Sequence, residues 1–291
     1  MSNLRYDPVS GHWVTIAKNR LDRPTEFIPL EQIRQQLICP FCCGNEDQTP
    51  LAVASFGDDG KPLDAEDDPS SWVVRVVPNK FPSFSSAGVV AEDNGPYASS
   101  CGGGTQLLVI PSSRHLTSIS QLNEQELHVA FLACQKQIAE LKAAEGIKHA
   151  MLFMNCRSAA GASLGHIHWQ LIGAPVISNY LEDRVQRNLE SVRQNGHSLL
   201  KRIVEWEVEK KIRVVKLTEN FCVICPYASR FAFQVWIVPL DPQGGFIECP
   251  EAKRNELAQL CRSITEQMET CLLYTSPSPR DATLSRMPSS A

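Results

Sequence analysis

The sequence predicts an α+β fold, strands packed against helices, and three observations carry that prediction. In GASLGHIHWQLIGAP, residues 161–175, polar His166, His168 and Gln170 alternate with apolar Ile167, Trp169 and Leu171. A period of two is a β-strand with one polar and one apolar face, here a short strand of about ten residues bounded by turns. Residues 123–144 repeat apolar side chains (Leu127, Phe131, Cys134, Ile138, Leu141) at helical spacing. That helix lies between the apolar runs LLVIP (107–111) and MLFMN (151–155), so strand, helix and strand succeed one another.

Composition narrows the function classes. A chain of 291 residues, 43% hydrophobic and 21% charged, has globular proportions and room for two domains. Its net charge of −4 argues against a general nucleic-acid or membrane-surface protein. No apolar run reaches membrane-spanning length and the N-terminal residues have no signal-peptide character, so the expected compartment is the cytoplasm. Eleven cysteines then read as thiols and metal ligands, not as a disulfide framework.

In chain order, Asp7-Pro8 and Ser10-Gly11 mark a turn before a strand at Trp13–Ala17, and Arg20 and Arg23 follow in what reads as a basic loop. Cys39 and Cys42 form a C-x-x-C with Pro40 between, a tight knuckle that aims both sulfurs at one point. Alone it is half a zinc site or a redox pair. No second C-x-x-C lies at zinc-ribbon spacing, so further ligands must be distant histidines; Cys43 is a bystander. Residues 45–71 are an acidic loop with at most a short strand.

Trp72–Val77 is a buried strand ending in a turn that carries Asn79 and Phe81. The glycine-rich SSCGGGTQ lacks P-loop spacing. Strand 107–111 delivers His115; Asn123 and Glu126 form an N-cap pairing for the helix; MLFMN brings in Asn155. From Leu181 the chain is helical, with a break at Asn195-Gly196. Residues 221–239 hold two strand-like runs, in which Cys222 and Cys225 read as strand residues and not as a second knuckle. A helix covers about 250–272, and the Ser/Pro/Arg-rich remainder reads like translated cloning sequence.

Four segments, LRYDPVSGHWV, CPFC, WVVRVVPNKFP and GASLGHIHWQ, resemble the galactose-1-phosphate uridylyltransferase family. This is the branch of the histidine-triad superfamily in which Gln replaces the third His. The likeness covers about residues 4–270 and weakens late; in PYASRFAFQ, Ala232 and Gln234 stand where the family has Pro and Glu. It implies two histidine-triad-like units, each with an antiparallel sheet and packed helices: a catalytic and zinc domain at 1–175 and a partial second domain at 176–271, while 272–291 is expected to be a non-native or disordered tail. Because family members continue into a strand bearing an H-x-H pair, the chain is expected to be C-terminally truncated.

The resemblance also assigns roles. His168 would be the nucleophile, Gln170 a hydrogen-bond donor to the phosphoryl oxygens, and Cys39, Cys42, His115 and His166 the Zn2+ ligands. Arg23 matches a phosphate-binding arginine, Asn79 and Phe81 match nucleoside contacts, and Asn155 and Ser163 match phosphoryl contacts. A glutamine suits the chemistry, because a sugar 1-phosphate leaves as a stabilised anion and needs no acid.

The expected activity is ping-pong UDP-glucose:hexose-1-phosphate uridylyl transfer in galactose metabolism, with a nucleotide sugar and a sugar 1-phosphate as substrates. An ADP-glucose phosphorylase of the same superfamily is the alternative, kept open by Trp169 where uridylyltransferases carry a small residue. A non-catalytic, zinc-stabilised fragment is a third reading. Family members are usually dimers, so the resemblance implies a homodimer.

Overall fold

The computed structural model describes residues 2–17, 38–64, 68, 70–84, 103–157, 160–241 and 244–274. In chain order these form β1 (Ser2–Asp7), β2 (His12–Ala17), β3 (Ala54–Phe56), β4 (Val74–Pro78), β5 (Thr105–Ile110), α1 (Glu124–Ala143), β6 (His149–Phe153), β7 (Trp169–Ala174), α2 (Asn179–Asn195), α3 (Leu199–Lys210), β8 (Val214–Leu217), β9 (Phe221–Ile224), β10 (Trp236–Pro239) and α4 (Glu251–Tyr274). None of these helices is long and apolar enough to cross a membrane. Every strand pairing is antiparallel, and the α+β class stands.

The chain forms two compact units. One is drawn from Gln32–Ile177 and Phe246–Thr265, the other from Met1–Glu31, Ser178–Gly245 and Glu266–Ala291. A change of unit falls between Ile177 and Ser178; β1 and β2 lie in the unit of Ser178–Gly245, and most of α4 lies in the unit of Gln32–Ile177. Arg5 Nη1 donates to the Tyr227 carbonyl at 2.8 Å, and Arg187 Nη1 donates to the Tyr6 hydroxyl at 3.0 Å. Such long-range ties are invisible to local pattern.

The unit around Gln32–Ile177 holds a five-stranded sheet of order β3-β4-β5-β7-β6. On one face Val74, Val76, Leu107, Val109, Trp169 and Leu171 pack against Leu127, Ala130, Phe131, Cys134 and Leu141 of α1. Burial of that apolar stripe is what holds the helix to the sheet. On the other face Val77 and Ile110 pack with Trp72 and Phe41. The sheet therefore has a helix side and a knuckle side.

The expected ten-residue strand around the histidines is shorter: β7 starts only at Trp169. The extended alternation nevertheless begins earlier, since Ile167 joins Trp169 and Leu171 in the helix-side core. Two hydrogen bonds explain the late start. The His166 carbonyl accepts from its neighbour ring, His168 Nδ1, at 2.8 Å, and Ile167 N donates to the Leu116 carbonyl. Those groups are spent on the 111–116 loop and on a side chain, and so do not extend the ladder.

At the start of α1 the expected pairing is a full capping box: Asn123 Oδ1 accepts from Glu126 N at 2.8 Å, and Asn123 N donates to Glu126 Oε2 at 2.9 Å. Glu126 also accepts from Ser112 Oγ at 2.6 Å and from Arg114 Nε at 3.0 Å. One carboxylate thus ties the helix cap to the loop that carries His115.

In the other unit, β1 and β2 form a hairpin, and α2 and α3 are separated at Gly196, whose φ of +74° is left-handed. The predicted break at Asn195-Gly196 is that C-cap. Strands β8, β9 and β10 form a three-stranded sheet whose core is Cys222, Ile224 and Val238 with Val204 of α3. Cys222 is a buried residue of β9, as expected, whereas Cys225 lies just beyond the strand and is exposed, because β9 ends at Ile224. Strands β1 and β8 were not anticipated from sequence.

Burial alone would raise the Glu126 pKa, but the Arg114, Ser112 and Asn123 hydrogen bonds outweigh it and hold the carboxyl below its ordinary value. A folded-state pKa below the unfolded one stabilises above the unfolded value and is lost as pH falls through the folded value. Glu126→Gln should therefore cost about 1.5–3 kcal/mol at neutral pH. The deficit against wild type in urea denaturation should shrink as the pH is lowered below about 4.

Candidate active site and metal centre

The knuckle side of the sheet gathers the polar residues of the 161–175 stretch. His166 is 1% exposed and His168 6%. Phe41 covers both, with ring centroids 6.0 Å from His166 and 5.3 Å from His168. Burial pushes the His166 pKa down to about 4, only partly countered by its Ser112 hydrogen bond, and burial also lowers His168. Both rings are neutral near pH 7, the state a metal ligand and a nucleophile each require.

Each tautomer is set by its partner. His166 Nε2 is 3.1 Å from the Ser112 carbonyl, which can only accept, so Nε2 carries the proton and Nδ1 the lone pair. For His168 the roles reverse. Its Nδ1 donates to the His166 carbonyl, which leaves Nε2 as the free lone pair.

His166 Nδ1 points at the cysteine knuckle. It lies 3.5 Å from Cys39 Sγ and 3.6 Å from Cys42 Sγ, and Cys42 Sγ is 3.3 Å from His115 Nδ1. The four donor atoms of Cys39, Cys42, His115 and His166 all lie within 4.8 Å of one another. Bonds of about 2.3 Å to sulfur and about 2.0–2.1 Å to nitrogen at the tetrahedral angle give a sulfur–nitrogen edge of about 3.5–3.6 Å. Three of the sulfur–nitrogen separations, 3.3, 3.5 and 3.6 Å, lie close to that edge, so the donor set suits a tetrahedral ion. Burial, together with the Cys39 hydrogen bond and charge, holds the Cys42 thiol up at about 11. A divalent cation would reverse that by replacing the proton.

The ligands come from three segments that are tied to one another. Cys43 N donates to the Ser113 carbonyl, and Asn45 Nδ2 donates to the Cys39 carbonyl at 2.9 Å. Ser112 serves twice: its carbonyl orients His166 and its hydroxyl binds Glu126.

The other expected site residues are placed less uniformly. Gln170 lies in β7, two residues from His168, and its Oε1 accepts from Gln106 Nε2 at 2.9 Å. Asn79 Oδ1 accepts from Phe81 N at 3.0 Å, which is turn chemistry, and Phe81 is 83% exposed. Asn155 is half-buried just after β6 and Ser163 is exposed in the loop before His166. Arg23 lies outside the described residues. Trp169 faces the opposite way, packed on Phe131 at 5.3 Å in the helix-side core.

Three residues with evident work in the site were missed from sequence: Ser112, Glu126 in its second role, and Gln106. Only Gln106 carried a signal, a polar residue inside an otherwise apolar strand. One face of the sheet thus bears the H-x-H-x-Q run beside a Cys2His2 cluster, the arrangement that the sequence resemblance leads one to expect.

Comparison with known proteins agrees. The chain is 26% identical over 271 residues to ADP-glucose phosphorylase of Arabidopsis thaliana, covering 91% of this chain and 73% of that protein. To galactose-1-phosphate uridylyltransferase of Thermotoga maritima it is 21% identical over 271 residues, covering 92% and 76%. The crystal structure of the Arabidopsis ADP-glucose phosphorylase with bound ADP-glucose superposes with a TM-score of 0.75 at 24% identity, over 94% of this chain and 79% of that one. No protein-family model matches. In sequence and fold the chain is similar to ADP-glucose phosphorylase and to galactose-1-phosphate uridylyltransferases.

Metal content tests the centre. The purified protein should carry about one zinc per chain, and Cys42→Ser, which leaves a three-ligand set, should lose most of it and melt at lower temperature. Full zinc occupancy in Cys42→Ser would contradict the ligand set.

Proposed function

We propose that this protein is a nucleotidyltransferase that moves a nucleoside monophosphate from a nucleotide sugar to an acceptor phosphate by way of His168. The observation that carries the reading is the His168 geometry: a buried neutral ring, its Nδ1–H held by the His166 carbonyl, its Nε2 lone pair free.

In the first half-reaction Nε2 attacks the α-phosphorus. A nitrogen–phosphorus bond forms, the bond from the α-phosphorus to the bridging oxygen breaks, and the sugar 1-phosphate leaves with the electron pair. The ring becomes cationic, and the Nδ1–H···O=C hydrogen bond stabilises that charge. Gln170 donates its amide hydrogens to a non-bridging oxygen. In the second half, a phosphate oxygen of the acceptor attacks the same phosphorus and His168 is released neutral. No proton has to be delivered to either leaving group, which fits an amide at position 170.

Zinc held by Cys39, Cys42, His115 and His166 would lock the knuckle and the His115 loop against the strand, without entering the reaction. Asn79, Phe81, Asn155, Ser163 and Arg23 are carried forward as substrate contacts.

Two donor and acceptor pairs fit this site. UDP-glucose with a hexose 1-phosphate is one. ADP-glucose with inorganic phosphate is the other, and the greater identity to the Arabidopsis phosphorylase supports it. Trp169, which lies in the core, does not discriminate between them.

Steady-state assays with each pair decide the donor, and one pair should be used at least about tenfold better in kcat/KM. His168→Ala should lower transfer with the better pair by on the order of 10⁴-fold; near-normal transfer in that variant would sink the proposal. Because burial lowers the His168 pKa, the first half-reaction should stay flat as pH falls through the ordinary imidazole value of about 6.5 and decline only below it. Zinc content followed in parallel separates titration from metal loss.

A further inference from the structure

We infer that Gln106 is a positioning residue that decides which end of the Gln170 amide faces the reacting phosphate. The inference rests on the transfer reading of the site. It starts from a polarity that cannot be reversed. The Ser83 backbone N–H, a donor only, lies 2.7 Å from Gln106 Oε1, so the Gln106 oxygen must face Ser83. Gln106 Nε2 therefore faces the other way, 2.9 Å from Gln170 Oε1. Gln170 must accept there with its oxygen, which leaves its own NH2 group turned outward.

An unassisted glutamine can present either its oxygen or its nitrogen to a ligand, and the oxygen would repel a phosphoryl group. The Ser83–Gln106–Gln170 chain removes that choice before any ligand arrives. Strand register places the two side chains together: Gln106 pairs with Ile172 and Leu108 with Gln170, so Gln106 and Gln170 are diagonal neighbours on one face. Gln106 is itself buried, at 7% exposure, so water cannot easily substitute for either partner. Its backbone carbonyl also accepts from Asn79 N at 2.9 Å, so one residue joins the Asn79–Ser83 turn to the phosphoryl end of the site.

Gln106→Glu tests this directly. Its carboxylate still accepts from Ser83 but offers Gln170 only an acceptor. Gln170 must then turn its NH2 to position 106 and its oxygen to the phosphate. Single-turnover release of sugar 1-phosphate from a saturating nucleotide sugar by the zinc-loaded full chain should slow by on the order of 10²-fold, with nucleotide-sugar affinity changed by less than about threefold. Gln106→Met, which fills the space without hydrogen bonds, should slow it by roughly tenfold and guards against a folding defect from the buried acid.

The decisive readout is the cycle with Gln170→Ala. Once the amide is gone, neither substitution at 106 should slow the reaction further, beyond about threefold. Effects that multiply in the double variants would mean Gln106 acts on the fold and would overturn the inference, as would a Gln106→Glu rate near wild type.

Should wild type release no sugar 1-phosphate, the transfer reading fails, and the amide orientation is still decided by side-chain hydrogen exchange in the NMR spectrum. Wild type should show protected Gln106 NH2 protons and freely exchanging Gln170 NH2 protons, with Gln170 becoming protected in Gln106→Glu. Protected Gln170 protons in wild type would overturn the orientation.

Discussion

The site depends on the way His166 is clamped between two partners. Its Nε2–H is held by the Ser112 carbonyl, and its Nδ1 faces the sulfurs of Cys39 and Cys42. That clamp draws the knuckle, the His115 loop and the start of β7 onto one point. It also fixes the neighbouring His168 ring, because the backbone carbonyl that orients His168 belongs to His166. Two roles meet in this residue: the ring that would hold a metal and the carbonyl that sets the His168 tautomer move together.

Around the clamp runs a second set of fixed polarities. Glu126 belongs to the cap of α1, yet it also gathers Ser112 and Arg114, both in the loop just ahead of His115. Gln106 belongs to a central strand, yet it relays the direction of a backbone N–H to the amide of Gln170. In both cases a buried polar group is anchored by a donor that cannot reverse, Arg114 and the Asn123 N–H for Glu126 and the Ser83 N–H for Gln106, which makes the arrangement specific as well as stable.

Much of this was legible in the sequence, for local reasons. The two-residue alternation of 166–171 correctly assigned Ile167, Trp169 and Leu171 to the core, and the Asn123–Glu126 pairing marked the start of α1. The C-x-x-C with its proline announced a knuckle. Its partner His115 came only with the family resemblance, since nothing local distinguishes PSSRHL as a ligand loop. What failed to show was long-range or depended on competition for hydrogen bonds. The strand at the histidines starts late because the His166 carbonyl is used by a side chain. The Gln106–Gln170 contact joins residues 64 apart in sequence and exists only through the β5–β7 register. The place of β1 with residues 178–245 is set by Arg5 and Arg187 contacts that no window contains.

The account stands or falls on a covalent bond at His168. Intact mass of the zinc-loaded protein, taken after seconds with UDP-glucose and separately with ADP-glucose in the absence of acceptor, reads that bond directly. The account requires a gain of one nucleoside monophosphate with one of the two donors, localised by peptide fragmentation to His168, and the identity of the nucleotide then names the donor. Turnover without any mass gain, or an adduct on another residue, would contradict it.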